Sequence, residues 1–188
     1  MPTEEDGLRL VELARATIVH ELGQGPRPSV PEGPWFGDPG ATFVTITRDG
    51  RLHGCIGTLA PRRPLVVDVQ HNALAAAFED PRSEPYRAEW LPRMGVEVTL
   101  LGPLQPIEFS GQEELLTKVV PGLDGLVLRW GVYRGTFLPQ VWESLPEPRE
   151  FLEELKMKAG LHRDFWGEGV EIFRFRVQKW GGRRPHEP

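Results

Sequence analysis

The chain begins with apolar side chains three or four residues apart, the spacing of one face of a helix. This pattern predicts a helix over residues 3–22, with Thr3 as its N-cap and acidic residues in the first turn, where the helix dipole favours negative charge. Residues 23–40 are too rich in glycine and proline for a regular element and predict a long loop. Trp35 and Phe36 are the expected anchors of this loop.

Two later blocks of the chain predict the same succession of a hairpin, a helix and a closing strand. The first block predicts strands over 41–48 and 51–56 around an Asp49-Gly50 turn, a deeply buried helix over 64–79, a strand over 94–101 and a continuation of the sheet over 104–109. The second block predicts strands over 125–130 and 133–137, a short helix from Pro139, a helix over 148–159, a strand over 169–180 and a frayed tail over 181–188.

The closing strands of the two blocks begin with the same tripeptide, Gly-Val-Glu, at residues 95–97 and 169–171. We therefore interpret the chain as an α+β domain of two subdomains, over approximately residues 1–109 and 110–180, related by an internal duplication. The two halves are expected to share one mostly antiparallel sheet. Chance similarity between short strands is the alternative explanation.

The composition excludes several classes of protein. The chain has 188 residues, a formal net charge of −5 and one cysteine, so it forms neither an internal disulfide nor a cysteine-rich metal cluster, and a reducing cytoplasm is the expected location. The acidic N-terminus has no apolar signal-peptide stretch, and no apolar run is long enough for a membrane span. A pI near 5.6 argues against a broad nucleic-acid-binding surface. The high arginine and proline content suits a heat-adapted source, and a GC-rich genome gives the same bias.

Six short segments occur along the chain in a specific order, namely RLHGCIGTL, NALAAAFEDPR, GVEVTLL, GLDGLVLRWG, GTFLPQVWE and FLEELKMKAGL. Together they resemble the AMMECR-type domain family over roughly residues 8–180. The resemblance implies an α+β domain with two subdomains and does not imply a particular reaction. Prokaryotic members of the family are often encoded with, or fused to, Memo-like and radical-SAM proteins, which makes such proteins the expected partners.

The signature stretch of that family is usually Leu-Arg-Gly-Cys-Ile-Gly, and here it runs from Leu52 to Gly57 with His53 in the place of the arginine. If the arginine of the family binds an anion, this chain has lost that contact or has replaced it with His53 or Arg51. Gly54 and Gly57 allow a ligand or another backbone to approach closely, which makes them candidate binding positions.

Cys55 is the candidate nucleophile, because a thiol whose neighbours favour the thiolate is a strong one. The next predicted helix places Asp68, His71 and Asn72 at spacings of three and four residues, hence on one face, and a Cys-His-Asp/Asn set is the arrangement that thiol catalysis uses. His71 is therefore the candidate base. The alternative is structural: a free cysteine is often a small buried apolar group, and Asp68 and Asn72 then satisfy backbone groups of a loop.

Two further positions are candidates for ligand binding. Arg82 follows the predicted end of the helix and is available to a carboxylate, and Gln140 lies where a strand turns into a helix whose free amides can hold an anion. Each also has a structural explanation as part of a packed corner. No spacing of histidine, cysteine or carboxylate residues supports a metal site, and no motif indicates a cofactor.

Three functions remain open from the sequence. The first is an enzyme or small-molecule-binding protein with a cleft between the subdomains near Cys55, lined also by His71, Asn72, Arg82 and Gln140. The second is a protein-interaction module that performs no chemistry. The third, least favoured by the acidic composition, is RNA or nucleotide binding through three arginines, Arg51, Arg62 and Arg63.

Overall fold

The structure, a computed structural model, describes residues 2–182 and contains helices and antiparallel strands. In chain order the elements are α1 (Glu4–Glu21), β1 (Pro39–Gly40), β2 (Thr42–Arg48), β3 (Arg51–Gly57), β4 (Arg63–Pro64), α2 (Leu65–Phe78), a 3-10 helix (Ala88–Arg93), β5 (Met94–Leu101), β6 (Gln105–Pro106), α3 (Gln112–Lys118), β7 (Gly125–Trp130), β8 (Tyr133–Phe137), a 3-10 helix (Pro139–Glu143), α4 (Pro148–Lys158), β9 (Glu171–Phe175) and β10 (Val177–Gly182). The α+β class predicted from the sequence is confirmed.

The chain divides into two compact units. Within the described residues, the first unit comprises 2–101 together with 178–182, and the second runs from Gly102 to Val177. The boundary falls before the expected one at residue 109, because β6 pairs with β9 and Ile107 packs in the core of the second unit.

The first helix begins with a capping box. The Thr3 hydroxyl accepts a hydrogen bond from the Asp6 amide at 3.2 Å, and the Asp6 carboxylate accepts one from the Thr3 amide at 2.9 Å, so two amides that no helical carbonyl can reach are satisfied. Leu10, Leu13 and Ile18 form its buried face. The predicted helix over 3–22 is confirmed to within one residue at each end.

The sheet of the first unit has the strand order β10-β5-β2-β3, with β2 antiparallel to both β3 and β5. Asp49 and Gly50 both have positive φ, 52° and 74°, as a two-residue hairpin turn between twisted strands requires. Alternate side chains of β2 and β5, such as Val44 and Val98, pack with α1 and α2 in one core. The other face of this sheet, called here the outer face, carries Thr45, Cys55 and Glu97 in neighbouring positions.

The sheet of the second unit repeats that arrangement in the order β6-β9-β7-β8, with α4 in the place of α2. A glycine occupies the same position in both hairpins: Gly54 of β3 lies against the Ala76 carbonyl of α2, and a Cβ atom at Gly135 of β8 would lie 2.8 Å from the Leu155 carbonyl oxygen of α4. Gly54 pairs with Ile46, which pairs with Val96, and Gly135 pairs with Leu128, which pairs with Ile172. Val96 and Ile172 therefore occupy equivalent positions in the two sheets. The shared Gly-Val-Glu tripeptide is therefore offset by two residues from the structural correspondence.

Five details differ from the sequence-based expectations. The units have separate four-stranded sheets where one shared sheet was expected, and residues 105–106 join the second sheet, not the first. The strand expected over 169–180 is divided between β9 in the second sheet and β10 in the first; the alternation continues on both sides of Arg176, so periodicity does not mark the break. The helix α3 was not predicted. Gly181 and Gly182 extend β10, and the rest of the expected tail lies outside the described residues.

Within residues 2–182, no helix is both long enough and apolar enough to cross a membrane.

Candidate functional site

Cys55 is half-buried and presents its thiol on the outer face of the first sheet. It lies directly opposite Thr45, whose hydroxyl donates a hydrogen bond to Sγ at 3.3 Å. Thr45 is in turn opposite Glu97 on β5, and Lys179 of β10 lies 3.8 Å from the Glu97 carboxylate. These four side chains, called here the polar row, cross the whole sheet and place a thiol, a hydroxyl, a carboxylate and an ammonium group side by side.

The two glycines of the signature stretch make room for parts of the protein itself. A Cβ atom at Gly54 would overlap the carbonyl oxygen of Ala76 on α2, and one at Gly57 would overlap the ring of Phe43 on β2. Their role in this fold is close packing of a helix backbone and of an aromatic ring. The space expected for a ligand at Gly54 and Gly57 is filled by these groups.

The backbone of Cys55 is held by an ion pair from the segment after α2. Its amide donates to Asp80 Oδ2 at 2.9 Å, and its carbonyl accepts from Arg82 Nη2 at 3.1 Å. The Arg82 guanidinium also donates to both Asp80 oxygens, at 2.9 and 2.6 Å. Because β3 is an edge strand, this pair satisfies backbone groups that no further strand reaches, and it protects the edge against pairing with another chain.

Asp80 is buried, whereas the Arg82 side chain is 62% exposed. Arg82 Nη1 makes no hydrogen bond with another residue of the described chain, so one edge of a firmly held guanidinium faces solvent beside Cys55. The hydrogen bonds from the Arg82 side chain hold the pKa of Asp80 well below its usual range, and the Cys55 amide acts in the same direction.

Asp80 gives the first unit a pH-dependent stability. Its carboxylate contributes stability above the pKa of about 3.9 that an unfolded aspartate has, and the contribution is lost as the pH falls from there toward the lower folded pKa. We therefore expect Asp80→Asn to destabilise the protein most near neutral pH and progressively less below about pH 4. Urea unfolding of both proteins at several pH values measures the difference.

Asp49→Asn is the matched control for this experiment, because the Asp49 carboxylate is exposed in its ion pair with Arg93 and asparagine tolerates the positive φ. A difference between Asp80→Asn and the native protein that is constant from pH 7 to pH 2 would contradict the proposed strength of the Asp80 contacts.

Asp68 and Asn72 form a buried network that fastens α2 to β2. Asp68 Oδ2 accepts hydrogen bonds from the Thr42 amide at 2.8 Å and the Thr42 hydroxyl at 2.7 Å, and Asn72 Nδ2 donates to the Thr42 carbonyl at 2.9 Å. Asn72 also donates to Asp68 Oδ2 at 3.0 Å. Arg63 Nε lies 3.0 Å from Asp68 Oδ1 in an ion pair whose geometry is not that of a hydrogen bond. These contacts are structural.

His71 is exposed and does not join this network. Successive helical residues are about 100° apart, so the positions three and four residues after Asp68 fall on opposite sides of it, and only Asn72 turns toward the sheet. Cys55 hydrogen-bonds through its sulfur to Thr45, not to His71. The structure therefore does not assemble the expected Cys55–His71 pair.

The remaining predicted positions are dispersed. His53 is buried between Tyr86 and Trp90. Arg51 is the first residue of β3, Arg62 lies in the loop after that strand, and Arg63 begins β4 and forms an ion pair with Asp68. Gln140 is exposed on the 3-10 helix of the second unit. Among residues 2–182, no three histidine, cysteine, aspartate or glutamate side chains are placed to hold a metal ion.

A separate cavity lies in the first unit between α1 and the loop over 23–40. Its volume is about 240 Å³, and it is lined by Arg9, Glu12, Leu13, Ala16, Ser29 and Pro31. None of these residues was predicted as a site residue.

Comparison with known proteins identifies the family. The family model AMMECR1 matches residues 11–180. The chain belongs to the AMMECR1 family. A protein of Aeropyrum pernix is 40% identical over 98% of this chain and 82% of its own length, and one of Methanocaldococcus jannaschii is 37% identical over 94% of this chain and 90% of its own. Many of the relatives come from thermophilic archaea.

A solved structure of the same kind exists for an uncharacterised protein from Pyrococcus horikoshii. It superposes on this chain with a TM-score of 0.80 at 34% sequence identity, and the match covers 97% of this chain and 94% of that one. The predicted AMMECR-type resemblance and the α+β fold are thus confirmed.

Sequence reasoning did not identify Thr45 and Lys179 as part of a site in this AMMECR1 domain. Thr45 stands in an alternating strand that predicts which residues share its face, but the partner on the next strand depends on register. The hairpin turn at Asp49-Gly50 alone would place Thr45 opposite Gly54. An irregularity between Ile46 and Thr47 shifts the register by one residue and places Thr45 opposite Cys55, and the alternating pattern does not signal this shift. Lys179 reaches Glu97 through a pairing between distant parts of the chain, for which the local sequence carries no signal.

Proposed function

We propose that this AMMECR1 domain is a cytoplasmic protein that binds a small polar molecule on the outer face of its first sheet, along the polar row of Cys55, Thr45, Glu97 and Lys179. The observation that carries the proposal is the orientation of Cys55. In the signature stretch, Gly54 and His53 are packed inside the protein, whereas the thiol is presented on a half-open face beside other polar groups.

The chemistry of the row indicates the kind of ligand. Glu97 accepts hydrogen bonds and Lys179 donates them, while Thr45 does both. Arg82 adds a guanidinium edge that suits a carboxylate or phosphate group of the ligand. A small molecule with an anionic group and a hydroxyl or amino group matches these four positions. The free thiol of Cys55 is consistent with a reducing compartment.

The reactivity of Cys55 tests whether the row is accessible. We expect iodoacetamide to alkylate Cys55 in the native protein within roughly tenfold of the rate for the urea-unfolded chain, because its side chain is only half-buried. Mass spectrometry after timed quenching measures both rates, and Cys55→Ser is the control for alkylation at other sites. A native rate about a thousandfold slower would show a packed thiol and contradict the proposal.

A second candidate function is protein interaction through the second unit. Val132 is 88% exposed. The next residue, Tyr133, is also exposed, and so is Met157 on α4. Tyr133 stacks on Trp130 with ring centroids 5.6 Å apart, so these two rings form one apolar surface. Contiguous exposed apolar groups often mark interaction sites. The Memo-like and radical-SAM proteins implied by the family resemblance are the partners to test, with Val132→Asp expected to abolish co-purification.

A further inference from the structure

His53 is a buried histidine enclosed by aromatic rings. It is 9% exposed, and its ring meets those of Tyr86 and Trp90 edge-on, with centroids 4.8 and 6.0 Å away. Its Nε2 atom is buried and has no hydrogen-bond partner. Both aromatic residues belong to the segment over 80–93, called here the cover segment, which also supplies the ion pair that holds Cys55.

The groups around His53 disfavour its protonation. Burial lowers the pKa of His53, and the charge of Arg48 on β2 lowers it further. Arg48 lies over the Trp90 ring at 4.2 Å, and Arg87 lies over the same ring at 5.1 Å. The carboxylate of Glu84 and the carbonyl groups of Ala77 and Glu84 act in the opposite direction, with smaller effect.

The charges that surround Tyr86 complete this environment. Arg15, Arg48 and Arg93 favour the ionised form of Tyr86, and Asp49 opposes them, but burial dominates and raises the pKa of its phenol. The Tyr86 hydroxyl donates a hydrogen bond to the Trp90 carbonyl at 3.2 Å, and the rings of both residues contact His53.

We propose that His53 is a proton-sensitive latch that holds the cover segment over the edge of β3 while the imidazole is neutral and releases it when the imidazole is protonated. An imidazolium in this site would be a buried charge beside the Arg48 guanidinium, and its Nε2 atom lacks a hydrogen-bond partner. Opening of the cover segment admits water to the ring and relieves both costs. Release of the cover segment would also release Asp80 and Arg82 and so free the backbone of Cys55. Only this consequence for binding rests on the proposed function.

The sign of the effect follows from the direction of the pKa change. The closed cover resists protonation of His53, and the open one accepts a proton near the ordinary histidine pKa of about 6.5. The closed state is therefore fully favoured above that pH and loses stability as the pH falls below it. Each pH unit changes the closing equilibrium by up to about tenfold.

Hydrogen exchange tests the latch directly. We expect peptides of the cover segment to lose protection by up to about tenfold between pH 7.5 and 5.5, after correction for intrinsic rates, while peptides of α4 keep theirs. His53→Gln and His53→Phe, two side chains that do not titrate, are expected to abolish this pH dependence. His71→Gln, at an exposed position on α2, is the matched control and should behave like the native protein.

The same pH dependence in native protein and in a folded His53 variant would overturn the latch, as would an equal loss of protection in α4. The ratio of Cys55 alkylation rates between native protein and His53→Gln, taken at each pH, separates the latch from the proposed function. A ratio that does not change with pH contradicts control of Cys55 by the latch. Slow alkylation in both proteins at every pH contradicts the proposed function and leaves the exchange result for the latch intact.

Discussion

Replacing Asp68 with alanine is expected to lower the free energy of unfolding by about 3–5 kcal/mol. The substitution removes the acceptor for the buried amide and hydroxyl of Thr42 and for Asn72 Nδ2, and it leaves Arg63 without its carboxylate partner. Urea denaturation followed by tryptophan fluorescence or circular dichroism measures the loss.

His71→Ala is the control for that experiment, because His71 lies on the same helix and is exposed, so its substitution is expected to change the free energy of unfolding by less than about 0.5 kcal/mol. A loss below about 1 kcal/mol for Asp68→Ala would show that the network is not structural and would return Asp68 to the candidate binding residues.

Replacing Gly54 with alanine is expected to cost about 3 kcal/mol or more, because the new methyl group overlaps the backbone carbonyl of Ala76 and α2 must move away from β3. Thermal and urea unfolding measure the effect. Gly37→Ala is the matched control, since nothing lies within 4 Å of a Cβ atom at that position.

A smaller loss is expected for Gly135→Ala, where the nearest backbone atom is 2.8 Å from the added carbon and less movement of α4 is needed. If Gly54→Ala is as stable as the native protein, the close approach of α2 to β3 is wrong, and Gly54 is again available as a ligand position.

The elements that the sequence predicts well are those with strong local patterns. The capping box of α1, the Asp49-Gly50 turn and the apolar helix after Pro64 are each specified by neighbouring residues, and all three are present. Short or divided elements were missed: α3 has seven residues, and β9 and β10 continue one alternating pattern into different sheets. Which sheet a strand joins is decided by contacts between distant residues, which local periodicity does not contain.

The candidate site shows the same division between local and long-range information. The signature stretch drew attention to Cys55, which the structure places half-buried on the outer face, whereas its glycines serve packing. The spacing of Asp68, His71 and Asn72 allows all three side chains to share one broad face of a helix. In α2 the buried part of that face includes Asp68 and Asn72 but not His71, which is exposed. The Asp80–Arg82 contact with Cys55 depends on how the chain turns after α2, a turn that an aspartate-proline pair indicates without fixing its direction.

The most direct test of the proposed function is to find where small molecules bind. Amide chemical shifts of the isotope-labelled protein can be followed during titration with a set of small polar metabolites that carry carboxylate or phosphate groups. We expect the perturbed amides to cluster around Thr45, Cys55 and Glu97 and the response to weaken in Glu97→Gln and in Arg82→Gln. Perturbations confined to the cavity beside α1, or saturable binding that both variants retain in full, would contradict a binding site at the polar row.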